Sequence, residues 1–510
     1  MPRMSAEAQA LIALRAAVLR RDWSSAERVA AAGLAEYPDS LELRRALAGI
    51  HRQGGRLAEA ESLLREVLLR EPGDFAAAFP LAEMLIEAGR GAAAAQILQS
   101  SFANGAQDPE LAIRAIELLD EAGRKRAAAG IAETALAAYP DDARLHAYAG
   151  MLELQLGEFA RAREHYLYAM AHDARACEWS VPDGLSGAQR YVDANHADFA
   201  MFRACLARED LSAKARSSLL FAVAKAHDDI GDYAQAAGFF RQANALAHAQ
   251  TAWSRKNWRR AAESRLAAKP FVQRLEAPAD FVPVFIVGMP RSGTTLAAEL
   301  LGRYPAVRNR GELPWLAKLA QLPVLAGNPA RAVLAQCAAI YAAQLRQDDS
   351  GDARFFIDKQ PLNFRYVDLI MALWPNARIV HCTRGARDTA LSLWAQSFHE
   401  DVQGYCFDFG DIALVMRDHE RLMAHWRERY PQAIRELRYE ELAADPARRI
   451  GDLVAWLGLP DNAAQRTDAL PEAIGTASLW QARQPVYRSS IGRWRHYAPY
   501  VPELEKFAVD

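Results

Sequence analysis

The first half of the chain alternates Ala- and Leu-rich helical stretches with short polar breaks on a fixed step. Ala26, Ala60, Ala94, Ala128 and Ala162 are evenly spaced, and Gly55, Gly89, Gly123 and Gly157 keep the same interval. Segments such as GRLAEA and GEFARA join each glycine to the next alanine, and a proline follows at a constant distance at Pro38, Pro72 and Pro140. This pattern predicts a helix, a tight turn, a second helix and a break. Glycine tolerates the left-handed turn, alanine lets paired helices approach closely, and proline stops the second helix. A further unit runs from Leu219 to Ala247, with Gly231, Ala236, Phe240 and Ala243 in matching places. Ala236 comes more than two full steps after Ala162, so the stretch 173–215 is expected to be atypical. From about Phe281 the pattern changes. VPVFIVG, residues 282–288, is a continuous run suited to a buried parallel strand, and a glycine loop and helix follow at once. FFID and RIVHCT read as further strands, and RDTALSLWAQ as a helix. The alternation predicts a helical repeat domain over 1–265 and an α/β domain over 280–510.

With 510 residues the chain is long enough for two or more compact units. Its 61 Lys and Arg nearly balance 63 Asp and Glu, so no global field would hold nucleic acid or an anionic membrane, and any anion must be captured locally. The five scattered cysteines have no C-x-x-C spacing, which disfavours a disulfide framework and a zinc site and points to a reducing, cytoplasmic setting. Residues 1–23 lack the apolar run of a secretory signal. No stretch of about 20 apolar residues suggests a membrane span.

The glycine loop carries the candidate chemistry. Read against G-x-x-x-x-G-K-[ST], Gly288 and Gly293 have the right separation and Thr295 holds the hydroxyl position, but Thr294 stands where the lysine belongs. That lysine reaches the β- and γ-phosphates of a nucleoside triphosphate, so its loss argues against a P-loop kinase or nucleotidase. The anion-binding part survives in the helix N-terminus, Arg291, Ser292, Thr294 and Thr295. Arg384, at the end of the RIVHCT strand, stands where open α/β sheets bind ligands. His381 reads as a core histidine, and no histidine spacing suggests a metal.

Two resemblances follow. The repeating unit resembles the tetratricopeptide repeat (TPR), whose period is about 34 residues, and this implies an α-solenoid whose concave face could hold a peptide. A structural solenoid or a dimerisation surface, hence a homo-oligomer, has equal standing. From Phe281 to Asp510 the chain resembles the sulfotransferases, especially the tyrosylprotein and bacterial TPR-containing branches. This implies a P-loop-like, three-layer α/β domain with a central parallel sheet. The implied co-substrate is 3′-phosphoadenosine 5′-phosphosulfate (PAPS), with PAP as product and no metal. Arg291, Ser292, Gly293, Thr294 and Thr295 would hold the 5′-phosphosulfate. Arg384 and Ser392, in Arg-x7-Ser spacing, match the 3′-phosphate motif, with Arg387 a weaker rival. The tyrosylprotein branch has another arginine one turn beyond the serine, where this chain has Gln396.

Tyr439 matches the tyrosine near the adenine, and Arg493 before Trp494 the basic residue closing over the nucleotide. Glu312 keeps the distance from Arg291 that the tyrosylprotein branch shows between its loop arginine and its general base, and so takes the place of that base. Lys359 takes the place of the lysine on the bridging oxygen, and Ser478, upstream of Arg493, that of the catalytic serine. Small-molecule sulfotransferases place a histidine two positions after that lysine; here it is Pro361. The resemblance implies sulfation of a hydroxyl, with a tyrosine of a protein or peptide held partly by the repeats as the first acceptor. A carbohydrate, lipid or small-molecule hydroxyl is the alternative. An inactive TPR scaffold is the third reading.

Overall fold

A computed structural model describes residues 5–103, 105, 108–278, 280–347, 351, 353–398, 403–459 and 490–508. The chain divides into two compact units, Met1–Pro140 and Asp141–Asp510.

The first unit is a series of paired helices: Ala6–Leu19 with Trp23–Glu36, Leu41–Gln53 with Leu57–Arg70, Phe75–Glu87 with Gly91–Ser101, and Pro109–Glu121 with Lys125–Ala138. The turn inside each pair needs a positive φ, and Gly55, Gly89 and Gly123 supply it at 75°, 75° and 73°. In the first pair the same position is Arg21, with φ 58°. Ala26, Ala60, Ala94 and Ala128 are fully buried, so a larger side chain at this repeated position would push the paired helices apart. Ion pairs follow the same step: Arg56 Nη1 meets Glu27 at 2.6 Å and Arg90 Nη1 meets Glu61 at 2.7 Å. Being partly exposed, such pairs set register more than they add stability.

The second unit begins with another such pair, Ala143–Leu156 and Phe159–His172, turned at Gly157. The atypical stretch follows as a short 3₁₀ turn, Ala174–Cys177, and the helices Val181–Gly187 and Ala197–Leu206. Regular helices return at Ala213–Asp229, Tyr233–Gln250 and Arg255–Leu266. These pack with the sheet in one core: Phe221, Phe240 and Trp258 join Phe285, Ile379 and Trp426. Two polar ties pin them there. Asn244 donates to the Trp394 carbonyl at 2.9 Å, and Trp258 Nε1 donates to Asp418 at 3.1 Å.

Five parallel strands form the sheet: β1 (Val282–Gly288), β2 (Val307–Asn309), β3 (Phe355–Asp358), β4 (Arg378–Thr383) and β5 (Ile434–Arg438). Their order is β2-β3-β1-β4-β5. β1 is buried along its whole length, as a central strand covered on both faces must be. Phe285 and Val287 face the core just described, while Val284 and Ile286 face a second one with Leu301, Leu453 and Leu457. The helices Thr294–Gly302 and Pro446–Leu457 cover that second face. This is a three-layer α/β domain that follows helical repeats along the chain. Because β1 sits between β3 and β4, the chain leaves it in opposite directions, and the crevice that opens at the strand C-termini there is where such sheets bind ligands.

Candidate functional site

Each strand ends on the same edge, and each hands one candidate residue to it. β2 leads to Glu312, β3 to Lys359, β1 to the loop 289–293, β4 to Arg384 and β5 to Tyr439. In spatial order the row reads Glu312, Lys359, the loop, Arg384, Tyr439. At about 4.8 Å between neighbouring strands it spans roughly 19 Å.

The loop is shaped by close approach. A Cβ on Gly288 would lie 2.3 Å from the carbonyl oxygen of Cys382 on β4, a backbone atom that cannot yield. A Cβ on Gly293, whose φ is 93°, would lie 2.6 Å from Cδ2 of Tyr439. Between them Ser292 folds back, its N–H and hydroxyl both donating to the Met289 carbonyl at 3.2 and 2.7 Å. Arg291 takes a left-handed conformation, φ 71°. Ser292, Thr294 and Thr295 are buried at the start of the helix that follows.

Arg291, Arg384, Ser392 and Tyr439 come together around this loop. Arg291 Nε donates to Ser392 Oγ at 3.0 Å, and Arg384 Nη1 donates to the Arg291 carbonyl at 3.0 Å. Arg384 Nη2 donates to the Ser490 carbonyl at 2.6 Å, and its guanidinium lies 4.9 Å from the centre of the Tyr439 ring. Tyr439 shares a hydrogen bond of 2.6 Å with the Ser490 hydroxyl. Among the described residues Arg384 Nε is buried without a hydrogen-bond partner. A concentration of guanidinium, hydroxyl and backbone donors with one buried donor unused is the chemistry a bound phosphate satisfies.

Glu312 and Lys359 also meet. The Lys359 ammonium, 2% exposed, contacts Glu312 Oε1, and the glutamate side chain is 33% exposed. Backbone bonds carry the β2–β3 pairing past the strand ends. Arg310 N–H donates to the Ile357 carbonyl at 2.9 Å, and Lys359 N–H donates to the Gly311 carbonyl at 2.8 Å.

Three other candidates stand differently. Arg493 turns to Asp228, with Nη2 2.6 Å from the carboxylate. Arg387 donates to the Phe507 carbonyl at 3.0 Å and stacks 4.5 Å over Trp494. The neighbouring Asp388 accepts from the Gly492 and Trp494 amides at 2.6 and 3.0 Å. Ser478 lies outside the described residues. His381 is a core residue: its Nε2 lies 2.9 Å from His419 Nε2, and burial pushes the His419 imidazole down to about 3. Reading by motif missed Ser490, which touches both Arg384 and Tyr439, and Glu440, which accepts from the Gly385 amide at 2.9 Å. Glu440 stood in plain view after Tyr439, whereas Ser490 carried no local signal. Among the described residues no group of three or more His, Cys, Asp or Glu could hold a metal, and no helix is long and apolar enough to cross a membrane.

Residues 283–463 match the sulfotransferase family, and residues 17–84 and 52–119 match the tetratricopeptide repeat. A protein of Aquifex aeolicus (strain VF5) is 34% identical over 242 residues, which is 44% of this chain and 32% of that protein's length. The chain thus spans about a third of that relative. Among solved structures, the sulfotransferase domain of the Synechococcus PCC 7002 olefin synthase covers 47% of this chain and 99% of its own, at 19% identity and a TM-score of 0.32. A sulfotransferase of Mycobacterium avium covers 62% and 99%, at 16% identity and a TM-score of 0.28.

Proposed function

We infer, from a sulfotransferase-family domain that follows tetratricopeptide repeats, that the protein moves a sulfuryl group from PAPS to an acceptor hydroxyl. The observation that carries this is the meeting of Arg291, Arg384 and Ser392 beside the β1 loop. Arg291 and the loop amides bind the 5′-phosphosulfate, Arg384 and Ser392 the 3′-phosphate, and Tyr439 packs on the adenine. Glu312 takes the proton from the acceptor oxygen as that oxygen attacks sulfur from the side opposite the leaving phosphate. The bond from sulfur to the 5′-phosphate oxygen breaks, and Lys359 stabilises the charge that grows there. The products are the sulfate ester and PAP.

A tyrosine of a protein or peptide is the acceptor we favour, with the repeats supplying part of its binding surface, and a cytoplasmic setting suits the reduced cysteines. The test is transfer of labelled sulfate from PAPS to tyrosine peptides, glycans and phenols. Glu312→Ala should lose at least 100-fold in turnover and keep its affinity for PAP. Full turnover by that variant would remove Glu312 as the base. Transfer to glycans alone would move the acceptor away from tyrosine.

A further inference from the structure

Resting on that reading, we propose that Asp358 is a positioning residue, a buried carboxylate that holds the Glu312 segment in register with Lys359. Asp358 is the last residue of β3 and immediately precedes Lys359. It is completely buried. Three donors from three separate elements converge on it. Its Oδ1 accepts from the backbone N–H of Leu313, the residue after Glu312, at 3.2 Å. Its Oδ2 accepts from Asn363 Nδ2 at 2.8 Å and from the hydroxyl of Tyr341. Tyr341 comes from the helix Arg331–Arg346 and Asn363 from the 3₁₀ turn Pro361–Tyr366.

A carboxylate in this place carries a cost. Burial pushes its pKa up to about 7, against hydrogen bonds from Tyr341, Leu313 and Asn363 that pull it down. A packed apolar residue would fill the space more cheaply. What the carboxylate does that an apolar side chain cannot is bond the Leu313 amide. With Arg310 to Ile357 and Lys359 to Gly311, this third bond closes a clamp on both sides of Glu312. Glu312 lies on a short segment between β2 and the helix Trp315–Leu319; without the Asp358 bond the two backbone bonds before Glu312 and the Lys359 ammonium would remain, and the C-terminal side of the segment would lose its tie to β3. An ammonium that must also serve a leaving phosphate cannot be the one side-chain group that fixes the base. Asp358 frees it from that duty.

The substitution Asp358→Asn tests this. An amide has one acceptor oxygen for three donors, so its NH₂ must face either Leu313 N–H or the Tyr341 and Asn363 pair. Three readouts are needed: turnover with the best acceptor of the panel above, PAP affinity by calorimetry, and hydrogen exchange of the peptide covering 309–316. D358N should lose 10-fold or more in kcat, hold PAP affinity within twofold and speed exchange in that peptide. In an E312A background the same change should alter turnover by less than twofold, because the residue acts through Glu312. An equal loss in both backgrounds would overturn the proposal, as would unchanged exchange. Tyr341→Phe removes one buried donor and keeps the ring. If D358N does not fold, Y341F should show the same pattern at a few-fold loss, and additivity with E312A would again refute it. Failure of the underlying activity has a different signature: E312A alone keeps full turnover, or no acceptor in the panel is sulfated.

Discussion

Replacing Gly293 with alanine perturbs the site at a point where its cost can be worked from the structure. The added Cβ forces an L-residue to φ 93°, which costs about 1–2 kcal/mol in the left-handed region. It would also lie 2.6 Å from Tyr439 Cδ2, where ordinary contact begins at 3.4 Å. The ring must therefore retreat by roughly 0.8 Å, since overlap at that range is steeply repulsive. Retreat breaks the bond from Tyr439 to Ser490, worth about 1 kcal/mol, and loosens the contact with Arg384, worth about 0.5–1 kcal/mol. If the nucleotide feels both lost contacts in full, PAP affinity falls by about 10- to 30-fold. Calorimetry with PAP reads this directly. Gly327→Ala is the control: Gly327 has φ 75° and open space around its Cβ, so it carries the backbone strain alone and should bind PAP normally. A G293A protein that binds PAP within twofold of the native chain would show that Tyr439 and the loop do not form one surface.

Two further substitutions probe separate parts of the molecule. Arg384→Gln removes the charge proposed to recognise the 3′-phosphate, so PAP affinity should fall about 10- to 100-fold while 5′-AMP binding changes less than threefold; equal losses for both nucleotides, by competition binding, would contradict the assignment. Arg21→Gly relieves a left-handed arginine at a position where the later repeats have glycine. It should stabilise the repeats by about 0.5–1 kcal/mol after glycine's entropy is counted, seen as a rise in denaturation midpoint, and a fall would refute the strain argument.

What the sequence made legible is what local geometry forces. The evenly spaced alanines are legible because helices can cross that closely only over a small side chain, and the glycines because the turn needs a positive φ. The β1 loop is legible for the same reason, since Gly288 and Gly293 each mark a place where another residue presses in. Parallel strands then deliver Glu312, Lys359, Arg384 and Tyr439 to one edge without any need to know their order. What stayed hidden depends on contacts between distant segments. Asp228 and Arg493 are 265 residues apart, and nothing near Arg493 reveals that a helix carboxylate waits for it. Asp358 looked like the end of a strand until Tyr341 and Asn363 were seen to converge on it. The core shared by Trp258 and the sheet was hidden as well, because a repeat helix shows the same apolar stripe whether it meets another repeat or a different layer.

Which nucleotide the β1 crevice selects decides between a sulfuryl donor site and a triphosphate site. Direct competition between adenosine 3′,5′-bisphosphate and ATP with magnesium, on the full-length protein, measures it. Micromolar binding of the bisphosphate, insensitive to magnesium and at least 100-fold tighter than that of ATP, is the predicted result. Preference for ATP with magnesium would contradict it.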